Sequence, residues 1–234
     1  MFRMLKILPL LVLAGFAIFA TGCGTDHAKV RVVNASPDAL NQDVAVDGKT
    51  VVTDLDFGGL SPATGYLTVA AGNRRVEFRD TGTTTDVINS TVGFASQKEY
   101  TLFAQGKVGD DSIAALLKTD DNSAPPSGNI KLRVIHDAPD GPAHVDVYVV
   151  APLTDITDVA PTISSLAYQQ ASDYQTAAAA TYEIIVTDST DLSKTRIIDH
   201  PFDLAAGEIR TLVTLNVQNA NTMSDTLLVL NDLN

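Results

Sequence analysis

The sequence predicts an all-β fold with two tandem antiparallel β-sandwich domains, immunoglobulin-like or transthyretin-like, behind an N-terminal leader. Three observations predict it. The chain resembles itself at an offset of 102 to 110 residues, its apolar residues alternate in short segments, and a 14-residue apolar run near the start ends three residues before the only cysteine, Cys23. With 234 residues, 45% hydrophobic and 19% charged, the composition is typical of a globular protein.

The duplication is the strongest architectural signal. Lys29–Asp38 matches Lys131–Asp140 at an offset of 102, and Val76–Thr81 matches Ile184–Ser189 at 108. Thr101–Phe103 then matches Thr211–Val213 at 110. Because insertions are tolerated in surface loops and not inside paired strands, the stepwise growth of the offset places loops between the matching blocks.

Each copy contains seven or eight short segments rich in Val, Ile, Thr, Tyr and Phe, separated by Pro, Gly, Asp and Asn. Alternation with period two, as in Val30-Arg31-Val32, is typical of strands with one buried face. The run Ala177–Ala180 has high helix propensity, but the repeat aligns it with Val69–Gly72, just ahead of a strand. We therefore predict no helix there.

Two connections distinguish the copies. In the first copy Asp47-Gly48 predicts a type I′ hairpin turn, because both residues readily adopt positive φ. The second copy has the longer loop Ala151–Pro161 at the same place. The predicted boundaries are a signal peptide at 1–22, a lipidated tether at 23–28, domains at 29–118 and 130–234, and a linker at 119–129 that contains two prolines and a glycine.

The N-terminus has the order of a secretory signal: basic Arg3 and Lys6, then the apolar core Ile7–Ala20. An uncleaved transmembrane anchor is the alternative, but 14 apolar residues are fewer than the roughly 20 that span a bilayer. Phe19–Gly24 resembles the lipobox of bacterial lipoproteins. The resemblance implies cleavage between Gly22 and Cys23 and a diacylglycerol-modified, palmitate-bearing Cys23 that anchors the chain in a membrane.

The same resemblance implies a location in the cell envelope, on the periplasmic or surface face. We expect the outer membrane, because Gly24 is not the aspartate associated with retention in the inner membrane. Without residues 1–22 the chain has 14 basic and 28 acidic residues, a net charge of −14. Such a charge excludes binding to nucleic acid without a clustered basic face, and a single cysteine excludes an intrachain disulfide.

No catalytic residue, cofactor or metal ligand is predicted. The Gly-x-Ser-x-Gly nucleophile pattern is absent. His27 falls in the tether and His200 in a predicted turn before Pro201, while His136 and His144 lack the ligand spacing of a zinc site. The Asp pairs predict turns, although Asp155 and Asp158 leave a calcium site open as an alternative.

Recurring residues are interpreted as structural. Ser36-Pro37-Asp38 and Ala138-Pro139-Asp140 predict turns in which the aspartate binds its own backbone. Tyr66 and Tyr174 predict strand residues with a buried ring and a solvated hydroxyl. The absence of tryptophan argues against an aromatic platform for sugars, which lowers the case for glycan binding.

The segments Arg31–Asp38 and Arg133–Asp140, each followed by Asp-Val-x-Val and then a tyrosine, resemble the domain-of-unknown-function 4397 family over about residues 28–118 and 129–233. The resemblance implies tandem domains on envelope lipoproteins and no assigned activity. We expect a non-enzymatic, lipid-anchored structural or interaction module with an unknown protein or glycan partner. The alternative is a glycan- or peptide-binding module that uses the Ala151–Pro161 loop.

Overall fold

The computed structural model describes residues 26–219 and 222–232, and the predicted signal peptide and Cys23 lie outside them. The prediction of an all-β fold is confirmed, since the described residues form strands and no helix. The first nine strands are β1 His27–Asn34, β2 Gln42–Val46, β3 Lys49–Leu55, β4 Leu60–Ser61, β5 Leu67–Ala70, β6 Gly72–Asp80, β7 Asp86–Phe94, β8 Glu99–Gln105 and β9 Ala114–Asp120. The other eight are β10 Asn129–His136, β11 His144–Val150, β12 Ile163–Ala167, β13 Gln175–Ala178, β14 Ala180–Asp188, β15 Arg196–Leu204, β16 Ile209–Asn219 and β17 Thr222–Asn231.

We call residues 27–120 the first repeat and residues 129–232 the second repeat. In the first repeat one sheet has the order β4-β1-β8-β9, with β5 also paired to β1, and the other has the order β3-β2-β6-β7. In the second repeat the orders are β13-β10-β16-β17 and β12-β11-β14-β15. In both repeats the first strand runs parallel to the penultimate one, as β1 to β8 and β10 to β16. The repeats therefore share one pairing scheme, except that the second repeat has a single bridge, Ile135 to Ala171, in the place of β4.

Each repeat has an apolar cluster that joins its two sheets. In the first repeat Val30 and Val32 from β1 contact the cluster that contains Val44 and Phe78 from the other sheet. In the second repeat Leu132 and Val134 join Val147 and Ile184 in the same way. Period-two alternation puts these residues on one face of each strand, as the sequence predicts.

A third apolar cluster joins the two repeats. It contains Val33 and Phe103 of the first repeat and Ile135, Val213 and Leu230 of the second. Val33 follows Val32 directly, so the two side chains leave opposite faces of β1, and both are buried. The sheets that contain β1 and β10 are therefore buried on both faces, one inside the repeat and one between the repeats.

Two predicted segments differ from the structure at their edges. The first repeat begins before the predicted boundary at residue 29, because β1 begins at His27 and Ala28 is buried against β5. The linker is shorter than 119–129, because β9 continues to Asp120 and β10 begins at Asn129. Asp120 opposes Glu99 in the β8–β9 pair and is buried, which explains why strand pairing continues past the predicted boundary.

The predicted hairpin turn at Asp47-Gly48 is confirmed. Asp47 and Gly48 have φ angles of 50° and 79°, and Val46 pairs with Lys49 across them. The absence of a helix at Ala177–Ala180 is also confirmed, because these residues end β13 and begin β14. The prediction of a turn at His200-Pro201 is wrong. Both residues lie in β15. Because β15 is an edge strand, no further strand is deprived of a hydrogen bond by the N–H group that a proline lacks.

Candidate functional site

The loop between β11 and β12, residues 151–162, packs on the outer face of its own sheet. Ile156 is buried and contacts Tyr148 and Ile185, with Val150 and Val159 partly buried beside them. At the positions that match Tyr148 and Ile185, the first repeat has Ala45 and Glu77, and its connection is the two-residue turn Asp47-Gly48. The longer loop therefore supplies an apolar cover that only the second repeat possesses among the described residues.

Polar contacts fix the conformation of this loop. The Lys194 ammonium donates to the backbone carbonyls of Ile156, Thr157 and Val159 at 2.8, 2.9 and 2.8 Å. It also lies 5.4 Å from the centre of the Tyr148 ring. At the other end of the loop the Leu153 amide donates to the Glu183 carboxylate at 2.7 Å. A loop held in this way is ordered before any partner arrives, so binding through it costs little conformational entropy.

Two large apolar side chains are displayed on this part of the surface. Leu153 in the loop is 95% exposed, and Leu192 in the β14–β15 turn, two residues before Lys194, is 98% exposed. Single exposed leucines are common. Here the two leucines lie on two different segments, the β11–β12 loop and the β14–β15 turn, which the hydrogen bonds of Lys194 hold together. This region is therefore the strongest candidate for contact with a partner in the described part of the chain.

The carboxylates of these loops build turns. Asp155 accepts hydrogen bonds from the Thr157 amide at 2.9 Å and its hydroxyl at 2.6 Å, and these bonds lower the pKa of Asp155. Asp188 likewise accepts hydrogen bonds from the Thr190 amide and hydroxyl, both at 2.8 Å. Among the described residues no group of three or more His, Cys, Asp or Glu is arranged to hold a metal ion. Asp155 and Asp158 therefore have no third ligand of these types beside them.

His136 is committed to the fold. Its Nε2 donates to the Pro142 carbonyl at 2.7 Å, so Nδ1, 2.8 Å from Thr214 Oγ1, accepts from that hydroxyl. Burial lowers the pKa of His136, which favours this neutral form. His144 is exposed at the start of β11. The two histidines predicted across one connection thus do not share a described metal site.

The recurring motifs meet between the repeats in a reciprocal arrangement. Arg31 of the first repeat forms an ion pair with Asp232 of the second, and Arg133 of the second forms one with Asp120 of the first. Both guanidinium groups also donate to a backbone carbonyl across the boundary: Arg31 to Asn231 at 3.0 Å, and Arg133 to Thr119 at 2.7 Å. All four charged side chains are at most 3% exposed.

A threonine and a tyrosine complete each half of this network. The Thr101 and Thr211 hydroxyls donate to Asp120 and Asp232 at 2.8 and 2.7 Å. Tyr66 and Tyr174 donate to the same two carboxylates at 2.7 and 2.9 Å. The sequence did not reveal these carboxylate partners of the tyrosine hydroxyls. The prediction that the tyrosines are strand residues is wrong, because both precede their strands, β5 and β13. Burial raises the pKa of each tyrosine well above its ordinary value.

Sequence reasoning did not find Arg31, Asp120, Arg133 and Asp232 as a cluster. A signal was present: an arginine flanked by apolar residues at the same place in both copies, on the strand face opposite Val30 and Leu132. The default interpretation of aspartates as turn formers is wrong for Asp120. It is also wrong in detail for Asp38, whose carboxylate accepts from the Val108 and Gly109 amides of the β8–β9 loop, both at 2.8 Å.

A family model described as domain of unknown function DUF4397 matches residues 28–148, more than half of the chain. The chain belongs to the DUF4397 family. The match covers nearly all of the first repeat, the connecting segment 121–128 and the second repeat as far as β11. It includes Arg31 and Arg133, so both arginines of the reciprocal network lie within the span that defines this DUF4397 protein.

Three solved structures are similar to this DUF4397 chain at low scores. The C-terminal domain of AlgF from P. aeruginosa has 10% identity and a TM-score of 0.27, covering 44% of this chain and 98% of that one. A family 26 carbohydrate-binding module from Eubacterium rectale, in complex with maltoheptaose, has 8% identity and a TM-score of 0.27, covering 89% and 98%. A fimbrial assembly protein from Parabacteroides distasonis has 11% identity and a TM-score of 0.23, covering 88% and 98%. No curated protein matches the chain.

The sequence-predicted modification site, Cys23 with cleavage after Gly22, lies outside the described residues and stays a prediction. Within residues 26–219 and 222–232 of this DUF4397 protein, no helix has the length and apolar character needed to cross a bilayer. An open cavity of about 600 Å³ lies between the β10–β11 turn and β17, lined by Asp140, Asp188, Asn216 and Asp225. Burial raises the pKa of Asp225, to which the Asn216 amide donates.

Proposed function

We propose that this DUF4397 protein is a non-catalytic structural or interaction module of the cell envelope, anchored by lipid at Cys23 and made of two tandem β-sandwiches. The reciprocal pairing of Arg31 with Asp232 and of Arg133 with Asp120 carries the proposal. It joins the repeats through buried, fully bonded charges and an apolar cluster, as expected of a rigid body that presents surfaces to partners. The apolar cluster inside each repeat supports the sandwich arrangement.

The lipid anchor is supported by the sequence Phe19–Gly24 behind the apolar core Ile7–Ala20. A single acyl chain binds a membrane reversibly, whereas the two or three chains of a lipoprotein cysteine give lasting attachment. In the proposed arrangement everything after Cys23 lies in water beside one leaflet, of the outer membrane in a cell that has one.

The anchor is tested by labelling cells with radioactive palmitate. The natural chain should incorporate label and fractionate with membranes, whereas Cys23→Ala should do neither. Ser164→Ala, an exposed position remote from the cleavage site, is the matched control and should behave like the natural chain. Label in the Cys23→Ala protein, or a natural chain without label, would contradict the anchor.

A second candidate function is binding of a glycan or peptide through the Ala151–Pro161 loop. It is favoured by the loop's fixed conformation and by Leu153, held at its surface by the bond from its amide to Glu183. The test is a glycan array and a peptide array with the mature chain, residues 23–234. A saturable ligand that is lost in Leu153→Ser and kept in Leu40→Ser, an exposed leucine of the first repeat, supports this candidate.

Loss of the ligand in both variants, or in neither, contradicts use of the loop. Reproducible turnover of a substrate by the same purified chain would contradict the non-catalytic assignment.

A further inference from the structure

The exposed basic residues of this acidic protein are concentrated at one end of the first repeat. The described residues include fourteen lysines and arginines, and five of them are exposed. Four of the five belong to the first repeat: Lys29, Lys49, Arg75 and Lys98. The fifth, Arg196, belongs to the second repeat and pairs with Glu183 and Asp199.

Backbone hydrogen bonds place these four residues together. The Lys29 amide donates to the Lys98 carbonyl at 2.9 Å, and the Asp47 amide, next to Lys49 in the hairpin turn, donates to the Arg75 carbonyl at 2.8 Å. The Ala71 amide, at the corner that precedes β6, donates to the Asp26 carbonyl at 2.8 Å. Strand pairing agrees: β1, β3, β6 and β8 begin at this end, and β2, β5, β7 and β9 finish here. We call this set, Lys29, Lys49, Arg75 and Lys98, the basic end.

The basic end differs in charge from the rest of the molecule. Together with half-buried Arg74 it has five positive charges, against four negative ones on Asp26, Asp47, Glu77 and Glu99, a local charge of +1. The mature chain has 14 basic and 28 acidic residues, so the remainder carries 9 and 24, a charge of −15. Asp120 and Asp121 also lie at this end, but they form ion pairs with Arg133 and Lys131 of the second repeat.

Two of the four basic residues have no carboxylate partner among the described residues. Lys29 lies 2.7 Å from Glu99, and Arg75 lies 3.2 Å from Glu77. Within the described part of the chain, Lys49 and Lys98 make no ion pair. Their exposed ammonium groups gain nothing from the fold itself, so they are available to an anionic surface.

Asp26, the first described residue, lies at the basic end and is close in sequence to Cys23. Only three peptide steps separate Cys23 from Asp26, and a fully extended chain covers at most about 3.6 Å per residue, so Cys23 lies within about 11 Å of Asp26. That distance is comparable to the Debye length of about 8 Å at physiological salt. If Cys23 carries the acyl chains, the basic end cannot leave the electrostatic field of the headgroups next to them.

We propose that the basic end rests on anionic phospholipid headgroups of the leaflet that holds the Cys23 lipid. The proposal rests on the lipid anchor proposed above and adds a second contact to it. A lipid chain and a basic patch together bind a membrane more tightly than either alone. The contact also orients the protein, because the rest of the molecule, with a charge of −15, is repelled by the same surface.

The test uses the mature chain, residues 23–234, with Cys23→Ser so that no lipid contributes. Sedimentation with vesicles of equal parts phosphatidylglycerol and phosphatidylcholine is compared with pure phosphatidylcholine, at 50 mM and 500 mM NaCl. We expect binding to the anionic vesicles at 50 mM salt, at least tenfold weaker binding to neutral vesicles, and loss at 500 mM salt.

Lys49→Gln/Lys98→Gln removes the two unpaired charges, and binding should fall by about tenfold or more. The matched control, Lys107→Gln/Arg196→Gln, removes two charges elsewhere and should bind as before. Thermal unfolding of each variant shows that it folds. Absence of binding to anionic vesicles, or equal binding by both double variants, overturns the proposal.

Failure here and failure of the anchor are distinguishable. If the natural chain incorporates palmitate but the Cys23→Ser chain does not bind anionic vesicles, the membrane contact of the basic end is overturned and the lipid anchor is supported. Anionic vesicle binding in a protein that takes up no palmitate overturns the anchor and supports the basic end as an electrostatic contact.

Discussion

At the residue scale, the reciprocal network has charges that are buried and satisfied. Arg31 donates to Thr101, Asn231 and Asp232, and Arg133 donates to the equivalent three groups. Burial by itself lowers the pKa of Arg31, but the adjacent Asp232 and Asp120 carboxylates outweigh it and raise that pKa. Such a pair contributes little net stability compared with apolar residues, yet loss of one partner leaves a buried charge without compensation.

We predict that Asp120→Asn lowers the free energy of unfolding by about 3–5 kcal/mol, because Arg133 then stays buried without its counter-charge. Asp121→Asn is the matched control. The Asp121 side chain is 57% exposed and pairs with Lys131, so its loss should cost less than about 1 kcal/mol. Urea denaturation of the natural chain and both variants measures the difference. Equal effects at the two positions would contradict the importance of the buried pair.

Asp137 has a buried carboxyl group that the fold leaves without hydrogen bonds. Its two carboxyl oxygens have no hydrogen-bond partner, and Ala35 occupies the matching position of the first repeat. Burial raises the pKa of Asp137 to about 8, against a smaller opposite effect of Lys118. His136 and Tyr168 lie beside it and are neutral near pH 7, since burial lowers the pKa of His136 and raises that of Tyr168.

The pH dependence of stability follows from this shift. The folded-state pKa lies above the unfolded value of about 3.9, so the protonated form favours folding. The contribution of Asp137 is fully present below about pH 4 and is lost as the pH rises toward 8, by up to about 1.4 kcal/mol per pH unit. We predict that Asp137→Ala removes this slope and stabilises the chain at pH 8.

Thermal unfolding at pH 5, 6.5 and 8 tests the prediction. Asp158→Ala, at an exposed position of the β11–β12 loop, is the control and should keep the slope of the natural chain. An unchanged slope in Asp137→Ala would show that another group carries the pH dependence.

At the element scale, the β11–β12 loop has its own small core. We predict that Ile156→Ala costs about 2–5 kcal/mol, because it opens a cavity against Tyr148 and Ile185. Leu153→Ala, in the same loop but at a position that is 95% exposed, should cost less than about 0.5 kcal/mol. Urea denaturation measures both. A neutral Ile156→Ala would mean that the loop does not depend on its apolar contact.

Local sequence patterns predicted most of the elements. The Asp47-Gly48 turn, the strands around Val30 and Ile184, and the strand assignment of Ala177–Ala180 all depend on contacts within a few residues or on the repeat. Period-two alternation also predicts one buried face. It could not predict the burial of Val33 and Ile135 on the other face, because that depends on how the two repeats pack. Asp120 was missed for the same reason: its partner Arg133 belongs to the other repeat.

At the scale of the whole molecule, the cluster of Val33, Phe103, Ile135, Val213 and Leu230 couples the repeats. We predict a single calorimetric transition, because separating the repeats would expose this cluster and the four buried charges together. We also predict that Phe103→Ala in the first repeat speeds amide hydrogen exchange in β16 of the second. Leu40→Ala, at an exposed position, should leave that exchange unchanged. Two resolved transitions would contradict the coupling.

The crossed pairing of arginine and aspartate has a consequence for how such a chain can change over generations. The ion-pair partner of Arg31, Asp232, lies 201 positions away in the sequence, in the other repeat. A substitution in one repeat is therefore tolerated only when its counterpart in the other accommodates it. Selection must act on these four positions jointly, while the loops of each repeat are free to diverge.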